Sequence, residues 1–383
     1  MKQHNATYQR LGDYIREVDV RNKDLKVTTL LGVSISKEFI PSIANTIGTD
    51  MSAYKVVEHD QFAYGPVTSR NGEKVSIALY RGTDQTIISQ AYSVFEIIDT
   101  KQLLPEYLMM WFRRPEFDRY ARFKSHGSAR EIFDWSEMCD VLLPIPPIAR
   151  QREIVAEYAM LANRIRLNNR MISTLESTAQ VLYRKMFVEG IDKNNLPEGW
   201  RMGTIGEFCK EVKSGGTPNR NKVEYWNKKD FPWLKTGEIA NNIVFDAEEY
   251  ISKEGLEDSS AKLIPMGAVA MAMYGATASQ VAYLAFSTTT NQACCNMICD
   301  SPEDAAFLFF HLLYHQEEIK RYANGGAQEN LSQEIIVRQP IFLFEDKSKK
   351  QMFAVILNHI VNLYREINKL TELQSLLLTK MEI

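Results

Sequence analysis

Residues 151–187 read QREIVAEYAMLANRIRLNNRMISTLESTAQVLYRKMF. Apolar side chains return at alternating steps of four and three, through Ile154, Tyr158, Leu161, Ile165, Asn168, Ile172, Leu175, Ala179, Leu182 and Met186. That spacing holds one stripe on a single face of a long helix and marks a coiled-coil seam. Residues 351–383, QMFAVILNHIVNLYREINKLTELQSLLLTKMEI, repeat it through Phe353, Ile356, Ile360, Leu363, Ile367, Leu370, Gln374, Leu377 and Met381. From Ile165 to Met186, seven seam positions map onto the second stretch at a constant offset of 195. Each helix follows a segment of mixed α/β character, so the chain reads as globule, helix, globule, helix.

Helices of this length extend roughly 50 Å at 1.5 Å per residue. An apolar stripe of that length needs a partner, and within one chain each helix is the obvious partner of the other. Because each is preceded by its own globule, an antiparallel pairing is expected to set the globules at opposite ends, about an approximate two-fold axis. Asn168 and Gln374 interrupt the seam with polar side chains, a device that fixes register at some cost in stability.

Composition agrees with such a chain. Its 383 residues suffice for two domains and connecting helices, and 45% hydrophobic with 24% charged residues is ordinary for a soluble globular protein. No apolar run has membrane-spanning length, and Met1–Arg10 lacks the apolar core of a signal peptide. Five cysteines, without a regular framework, point to a reducing cytoplasm. The net charge of −3 makes no overall case for nucleic acid. Basic side chains nevertheless cluster twice, at Arg113, Arg114, Arg119, Arg122, Lys124 and Arg130, and at Lys210, Lys213, Arg220, Lys222, Lys228, Lys229 and Lys235. Such clusters are ordinarily solvated faces, but a DNA reader needs only local positive potential.

Along residues 1–147, Lys74–Tyr80, Thr86–Ser89 and Tyr92–Ile98 are rich in β-branched and aromatic residues and read as strands. Pro105 opens a helical stretch, a loop follows at His126–Gly127–Ser128, and Cys139–Leu143 reads as a last strand ended by Pro144. The second globule repeats this order. Ile205–Gly206–Glu207 echoes Leu11–Gly12–Asp13, Gln292–Ala293 echoes Gln90–Ala91, and Pro340 echoes Pro144. Ala268–Met273 and Val281–Phe286 read as strands, and Ser301–Pro302–Glu303–Asp304 as a capped helix start. The expected division is a first globule at 1–147, a helix at 148–190, a second globule at 191–345 and a second helix at 346–383.

Catalytic signatures are missing. There is no G-x-x-x-x-G-K phosphate loop and no G-x-G-x-x-G fingerprint. His311 and His315 stand at i, i+4 without the intervening acid of H-E-x-x-H, and read as a helix-surface pair. Cys294, Cys295 and Cys299 lack a second zinc-spaced cluster and read as small buried hydrophobes. The chain therefore reads as a non-catalytic binding protein without a metal site.

The second globule carries Leu196–Pro197–Glu198–Gly199–Trp200, Ser214–Gly215–Gly216–Thr217–Pro218, Trp233–Leu234–Lys235–Thr236–Gly237–Glu238–Ile239, Tyr274–Gly275–Ala276–Thr277, Asn291–Gln292–Ala293–Cys294–Cys295 and Gly326–Ala327–Gln328–Glu329–Asn330–Leu331–Ser332. Six such motifs in this order, with Leu143–Pro144–Ile145–Pro146–Pro147–Ile148–Ala149–Arg150–Gln151 before the first helix, resemble the specificity subunit of type I restriction–modification systems. The resemblance is loosest over residues 1–125.

It implies a mixed α+β fold of two target-recognition globules joined by two long antiparallel coiled-coil helices, an internal pseudo-two-fold repeat. It also implies a non-catalytic, cytoplasmic subunit that binds double-stranded DNA at a bipartite, asymmetric site. Two modification (methyltransferase) subunits would methylate adenine with S-adenosylmethionine, and ATP- and Mg-dependent restriction subunits would cleave, so this chain itself would bind no cofactor. The second proline motif, Gln339–Pro340–Ile341–Phe342–Leu343, is degraded, which predicts a weaker second docking surface. A reading from another class is a two-headed coiled-coil scaffold for protein assembly.

Base reading is expected from loops, with basic neighbours on phosphates. The candidates are Tyr64, Thr68, Ser69, Arg70, Asn71, Lys124, Ser128 and Arg130 in the first globule. In the second they are Thr217, Asn219, Arg220, Lys235, Tyr274, Thr277 and Gln328.

Overall fold

A computed structural model describes residues 8–43, 48–69, 71–72, 74–126, 131–192, 195–323 and 330–382. The chain divides into two compact units, one of residues 1–166 with 368–383, the other of 167–367. Each unit thus contains one globule and a stretch of both long helices.

In the first unit the strands are β1 (Tyr8–Arg10), β2 (Ile15–Val18), β3 (Leu31–Val33), β4 (Phe39–Pro41), β5 (Lys55–Val57), β6 (Phe62–Tyr64), β7 (Ile77–Leu79), β8 (Thr86–Ile88), β9 (Ser93–Ile97) and β10 (Leu142–Pro144). An antiparallel sheet runs in the order β2-β9-β6-β7, beside the ribbons β1-β10, β3-β4 and β5-β8. Helices α1 (Pro105–Phe112), α2 (Pro115–Lys124) and α3 (Trp135–Cys139) cover it, and the long helix α4 spans Ile148–Phe187. The core joins Phe62, Phe95 and Phe112 to Leu11, Leu143, Leu378 and Met381, so the end of the chain packs on the first globule.

The second unit contains β11 (Arg201–Thr204), α5 (Ile205–Phe208), β12 (Glu211–Ser214), β13 (Phe231–Leu234), β14 (Asn242–Val244), β15 (Glu249–Ile251), α6 (Lys253–Glu257), β16 (Leu263–Ile264), β17 (Val269–Ala272), β18 (Val281–Leu284), β19 (Thr288–Thr290) and β20 (Cys294–Ile298). After these come α7 (Pro302–Tyr314), α8 (Gln316–Arg321), α9 (Gln333–Val337), β21 (Pro340–Leu343) and the long helix α10 (Lys347–Thr379). Its main sheet, β12-β20-β17-β18-β14, carries the order of β2-β9-β6-β7 with one strand added, and a second sheet runs β15-β13-β19-β16. The repeat read in the sequence is therefore a repeat of topology.

Every seam residue named above is buried or half-buried, all on α4 and α10 except Met381, which lies in the short 3-10 turn Lys380–Glu382 after α10. A neighbouring stripe is buried too, with Tyr183 and Phe187 on α4 and Leu357 and Val361 on α10. Two stripes are needed because each helix packs on its fellow and on a globule. In the second unit the pair is antiparallel: Tyr183, near the end of α4, meets Phe353, near the start of α10, at 6.3 Å between ring centroids. Tyr364, further along α10, lies near Glu176, earlier on α4.

Three details differ from expectation. Residues 135–139 are helical, because the Asp134 carboxylate accepts the Glu137 N–H at 3.0 Å and caps a short turn; the strand begins only at Leu142. Pro340 faces Thr204 in the β11–β21 ribbon, as Leu142 faces Arg10 in β1–β10, so it stands opposite Leu142 in the repeat and not opposite Pro144. His311 is not a surface histidine. It is buried on α7, with the Tyr183 hydroxyl 2.6 Å from its Nδ1. By contrast, Ser301 caps α7 as read, accepting the Asp304 N–H at 3.1 Å.

Candidate nucleic-acid interface

The motifs of the second globule, scattered over more than a hundred residues of sequence, converge on one rim. After β12 the chain turns through Gly215 and Gly216, whose N–H groups donate to Cys294 O (3.3 Å) and Thr290 O (2.8 Å). A Cβ on Gly215 would lie 2.2 Å from the Thr290 carbonyl oxygen, so only glycine lets the loop approach the β19–β20 turn. Trp233 on β13 donates its indole N–H to Gly216 O at 2.9 Å, and Asn291 N donates to Leu234 O at 3.0 Å. Met273 N donates to Ala293 O at 2.8 Å, and Leu331 N to Met273 O at 2.7 Å. The remaining motif departs from this rim: Trp200 stacks 4.7 Å from Phe344 and 5.4 Å from Phe187, in the core beside the long helices.

On the rim, Arg220 is exposed and its guanidinium lies 3.6 Å from the Trp226 ring centroid and 4.6 Å from that of Trp233. Glu249 binds Arg220 and, at 3.1 Å, Lys235, which also meets Glu248 at 2.9 Å. The Arg220 hydrogen bond, reinforced by Lys235, holds the Glu249 carboxyl below its ordinary range against the effect of burial. Glu248 and Glu249 in turn raise the Lys235 ammonium. Thr217 donates its hydroxyl to the Gln292 side-chain carbonyl. Asn219 is exposed, and its carbonyl accepts the Trp226 indole N–H at 3.2 Å. Tyr274 is 43% exposed, beside a turn whose Gly275 has φ +70°. The half-buried Thr277 donates to Tyr274 O at 3.4 Å. Arg220, Lys235, Thr217 and Asn219 thus belong to one cluster, and Tyr274 and Thr277 lie beyond its Asn291–Ala293 edge.

The first globule forms the corresponding edge with the same backbone bond. Phe133 N donates to Pro66 O at 2.8 Å, as Leu331 N does to Met273 O. Two candidates there are structural. Tyr64 is fully buried on β6 against Phe95 and Phe133, and burial drives its hydroxyl pKa upward. Its place in the repeat is that of the core residue Met271. Thr68 is also buried, its hydroxyl bound to Ser125 Oγ at 2.9 Å and to Glu131 O at 3.3 Å. Both lie where their side chains cannot reach a base.

Ser69 is exposed and Asn71 half-buried, with the Asn71 amide donating to Val67 O at 3.4 Å. Lys124 ends α2 and pairs with Glu137 at 3.1 Å. Arg70, Ser128, Arg130 and Gln328 lie outside the described residues. Sequence reading passed over Trp226, Glu249 and Gln292. Aromatic residues following Arg220 and Lys222 were a usable signal for Trp226; nothing local marks Glu249, which arrives from another strand.

No described helix is long and apolar enough to cross a membrane, and no metal-ligand cluster occurs among the described residues.

Residues 197–377 match the family model for the type I restriction modification DNA specificity domain. A type I restriction enzyme specificity subunit of Escherichia coli is 34% identical over 92 residues, spanning 23% of this chain and 22% of that protein. The HindI specificity subunit of Haemophilus influenzae is 21% identical over 88% of this chain and 89% of its own length. Among solved structures, the type I restriction–modification S subunit from M. genitalium superposes with a TM-score of 0.61, covering 100% of this chain and 98% of that one at 13% identity. The chain thus carries a type I restriction modification DNA specificity domain over residues 197–377, and along nearly its whole length it is similar to type I restriction–modification specificity subunits.

Proposed function

We propose that the chain reads a bipartite, asymmetric DNA site and directs adenine methylation, and where restriction subunits are present cleavage, by partner subunits. The observation that carries this is the repeated edge. The backbone bond of Phe133 to Pro66 and that of Leu331 to Met273 build the same loop junction twice, yet the side chains differ, with Val67 standing where Tyr274 stands. Equal frames with unlike surfaces suit two unlike half-sites. The helix repeat likewise suits two copies of one modification subunit. In this reading S-adenosylmethionine, ATP and Mg act on the partners, and this chain supplies recognition alone.

Duplex DNA would enter the second rim by exchanging the Glu249 carboxylate for phosphate or a base edge at Arg220 and Lys235. Arg220 has the planar fork suited to guanine, and Trp226 holds that fork in place. The deciding experiment compares methylomes of cells with and without this gene beside its modification partner. Loss of one bipartite methylated-adenine motif is expected. An unchanged methylome with the partner expressed, together with stable protein complexes that ignore DNA sequence, would favour a scaffold instead.

A further inference from the structure

The first unit contains a cleft of about 440 Å³ between the β3–β4 turn, the start of α2, α4 and the end of α10. Its wall carries Lys37, Lys74, Arg113 and Arg119 against one carboxylate, Asp118. That carboxylate is already committed. Asp118 accepts the Lys37 ammonium at 2.7 Å and the Val75 N–H at 3.1 Å, and Lys37 also donates to Phe112 O. Arg119 is matched by Glu116 at 2.9 Å. Arg113 and Lys74 have no carboxylate partner among the described residues, and both press on Lys37, adding to the burial that lowers its pKa. A concave site lined by low-dielectric walls focuses such a surplus of positive charge.

The repeat shows what this place holds in the other unit. The offset of 195 sets Tyr158, Gln374 and Leu378 of the cleft opposite Phe353, Ala179 and Tyr183. The offset of 197 between the first residues of α1 and α7 (Pro105 and Pro302) sets Arg113 opposite Phe310. In the second unit three of these positions are buried rings, with Phe353 6.3 Å from Tyr183 and 5.8 Å from Phe310, and Ala179 belongs to the same core. One copy fills the space with rings. The other keeps it open and lines it with cations, hydroxyls and the seam-breaking Gln374.

We propose that this cleft binds a small, multiply charged phosphate anion, held by Arg113 and Lys74 with Ser36, Gln374 and Ser375 as further hydrogen-bonding groups. The shape suits a compact ligand and the unmatched guanidinium suits bidentate phosphate recognition. None of the residues that line the cleft is among those nominated for DNA, although Lys74 N donates to Asn71 O at 3.3 Å, and the proposal does not rest on their role.

Pyrophosphate is the probe, titrated into the full chain while the melting temperature and binding heat are followed. A saturable rise in melting temperature is expected, beyond that produced by sodium chloride at matched ionic strength. Arg113→Gln and Lys74→Gln should each weaken pyrophosphate binding by about tenfold or more, the loss of one charge-assisted contact. The exposed Lys74→Gln provides the reading if Arg113→Gln disturbs folding, and Lys228→Gln on the other unit should change nothing. Equal pyrophosphate affinity in the wild type and in Lys74→Gln, or no effect beyond ionic strength, would overturn the proposal. If pyrophosphate binding survives a saturating amount of non-specific duplex DNA, the ligand is a small phosphorylated compound, as proposed; displacement by the duplex would make the cleft a contact for the DNA backbone and overturn the small-anion assignment.

Discussion

Arg220 lies 3.6 Å from the centre of the Trp226 ring while its guanidinium binds Glu249, so its fork is held on a ring face and by one carboxylate. Replacing it by alanine removes both the charge and the pre-set fork. Cognate binding by the assembled complex should weaken by about 1–3 kcal/mol, roughly five- to 150-fold, in fluorescence anisotropy at moderate salt. Arg220→Lys should recover less than half of that free energy, because an ammonium cannot reproduce the planar contact. Unchanged affinity in both variants would remove Arg220 from the reading surface.

Glu249 joins Arg220 to Lys235 and keeps the two cations partly neutralised. Glu249→Gln should raise affinity for non-specific duplex severalfold, since more positive charge faces the phosphates, and steepen its salt dependence. Discrimination between cognate and non-specific DNA should narrow. A variant that loses all DNA binding would instead mark Glu249 as a direct base contact.

Gly215 sits where a Cβ would meet the Thr290 carbonyl oxygen at 2.2 Å. Gly215→Ala must push the loop off the β19–β20 turn, at a cost of about 1–3 kcal/mol. Thermal unfolding followed by tryptophan fluorescence should register the loss, and DNA binding should fall with it. Gly237 has no atom within 4 Å of its hypothetical Cβ, and Gly237→Ala serves as the tolerant control.

The buried His311 beside Tyr183 and His315 titrates well below its ordinary value, chiefly through burial and then through His315, which itself meets Glu318 at 3.0 Å. A depressed imidazole stays neutral in the folded chain while the unfolded chain takes up a proton. Its contribution to stability is therefore complete above about pH 6.5 and declines as pH falls from there toward the folded value. Urea unfolding at pH 8 and pH 5.5 should show this decline, and His311→Gln should flatten it. Tyr183→Phe leaves the ring nitrogen without its hydroxyl partner and should cost about 1–3 kcal/mol at pH 8.

The parts of this fold that were legible are those where local pattern and tertiary role agree. The seam from Ile154 to Met186 is buried or half-buried because its period keeps those side chains on one face of the helix, turned toward the packing. The Ser301 cap held because its hydroxyl answers a backbone demand three residues away. Tyr64 and Thr68 misled because strand-end polar residues resemble loop readers until the opposing layer, here Phe133 and Ser125, is known. The polar gap at Gln374 was visible as an irregularity, but its setting needed the cleft around it. Glu249 was hidden for a simpler reason: its partners, Arg220 and Lys235, are 29 and 14 residues away in sequence (249 − 220 and 249 − 235).

Each globule opens and closes on the same two-stranded ribbon, β1 with β10 and β11 with β21. The ribbon works as a clasp: whatever length of chain lies between its strands, entry and exit remain hydrogen-bonded neighbours. The repeat records this tolerance. The offset is 194 at Leu11 and Ile205, grows to 198 at Val141 and Gln339, and returns to 195 in the long helices. Loops inside the clasp can lengthen, shorten or be replaced outright without displacing the residues that lead into the helix. New surfaces can then arise on an old frame with no compensating change elsewhere.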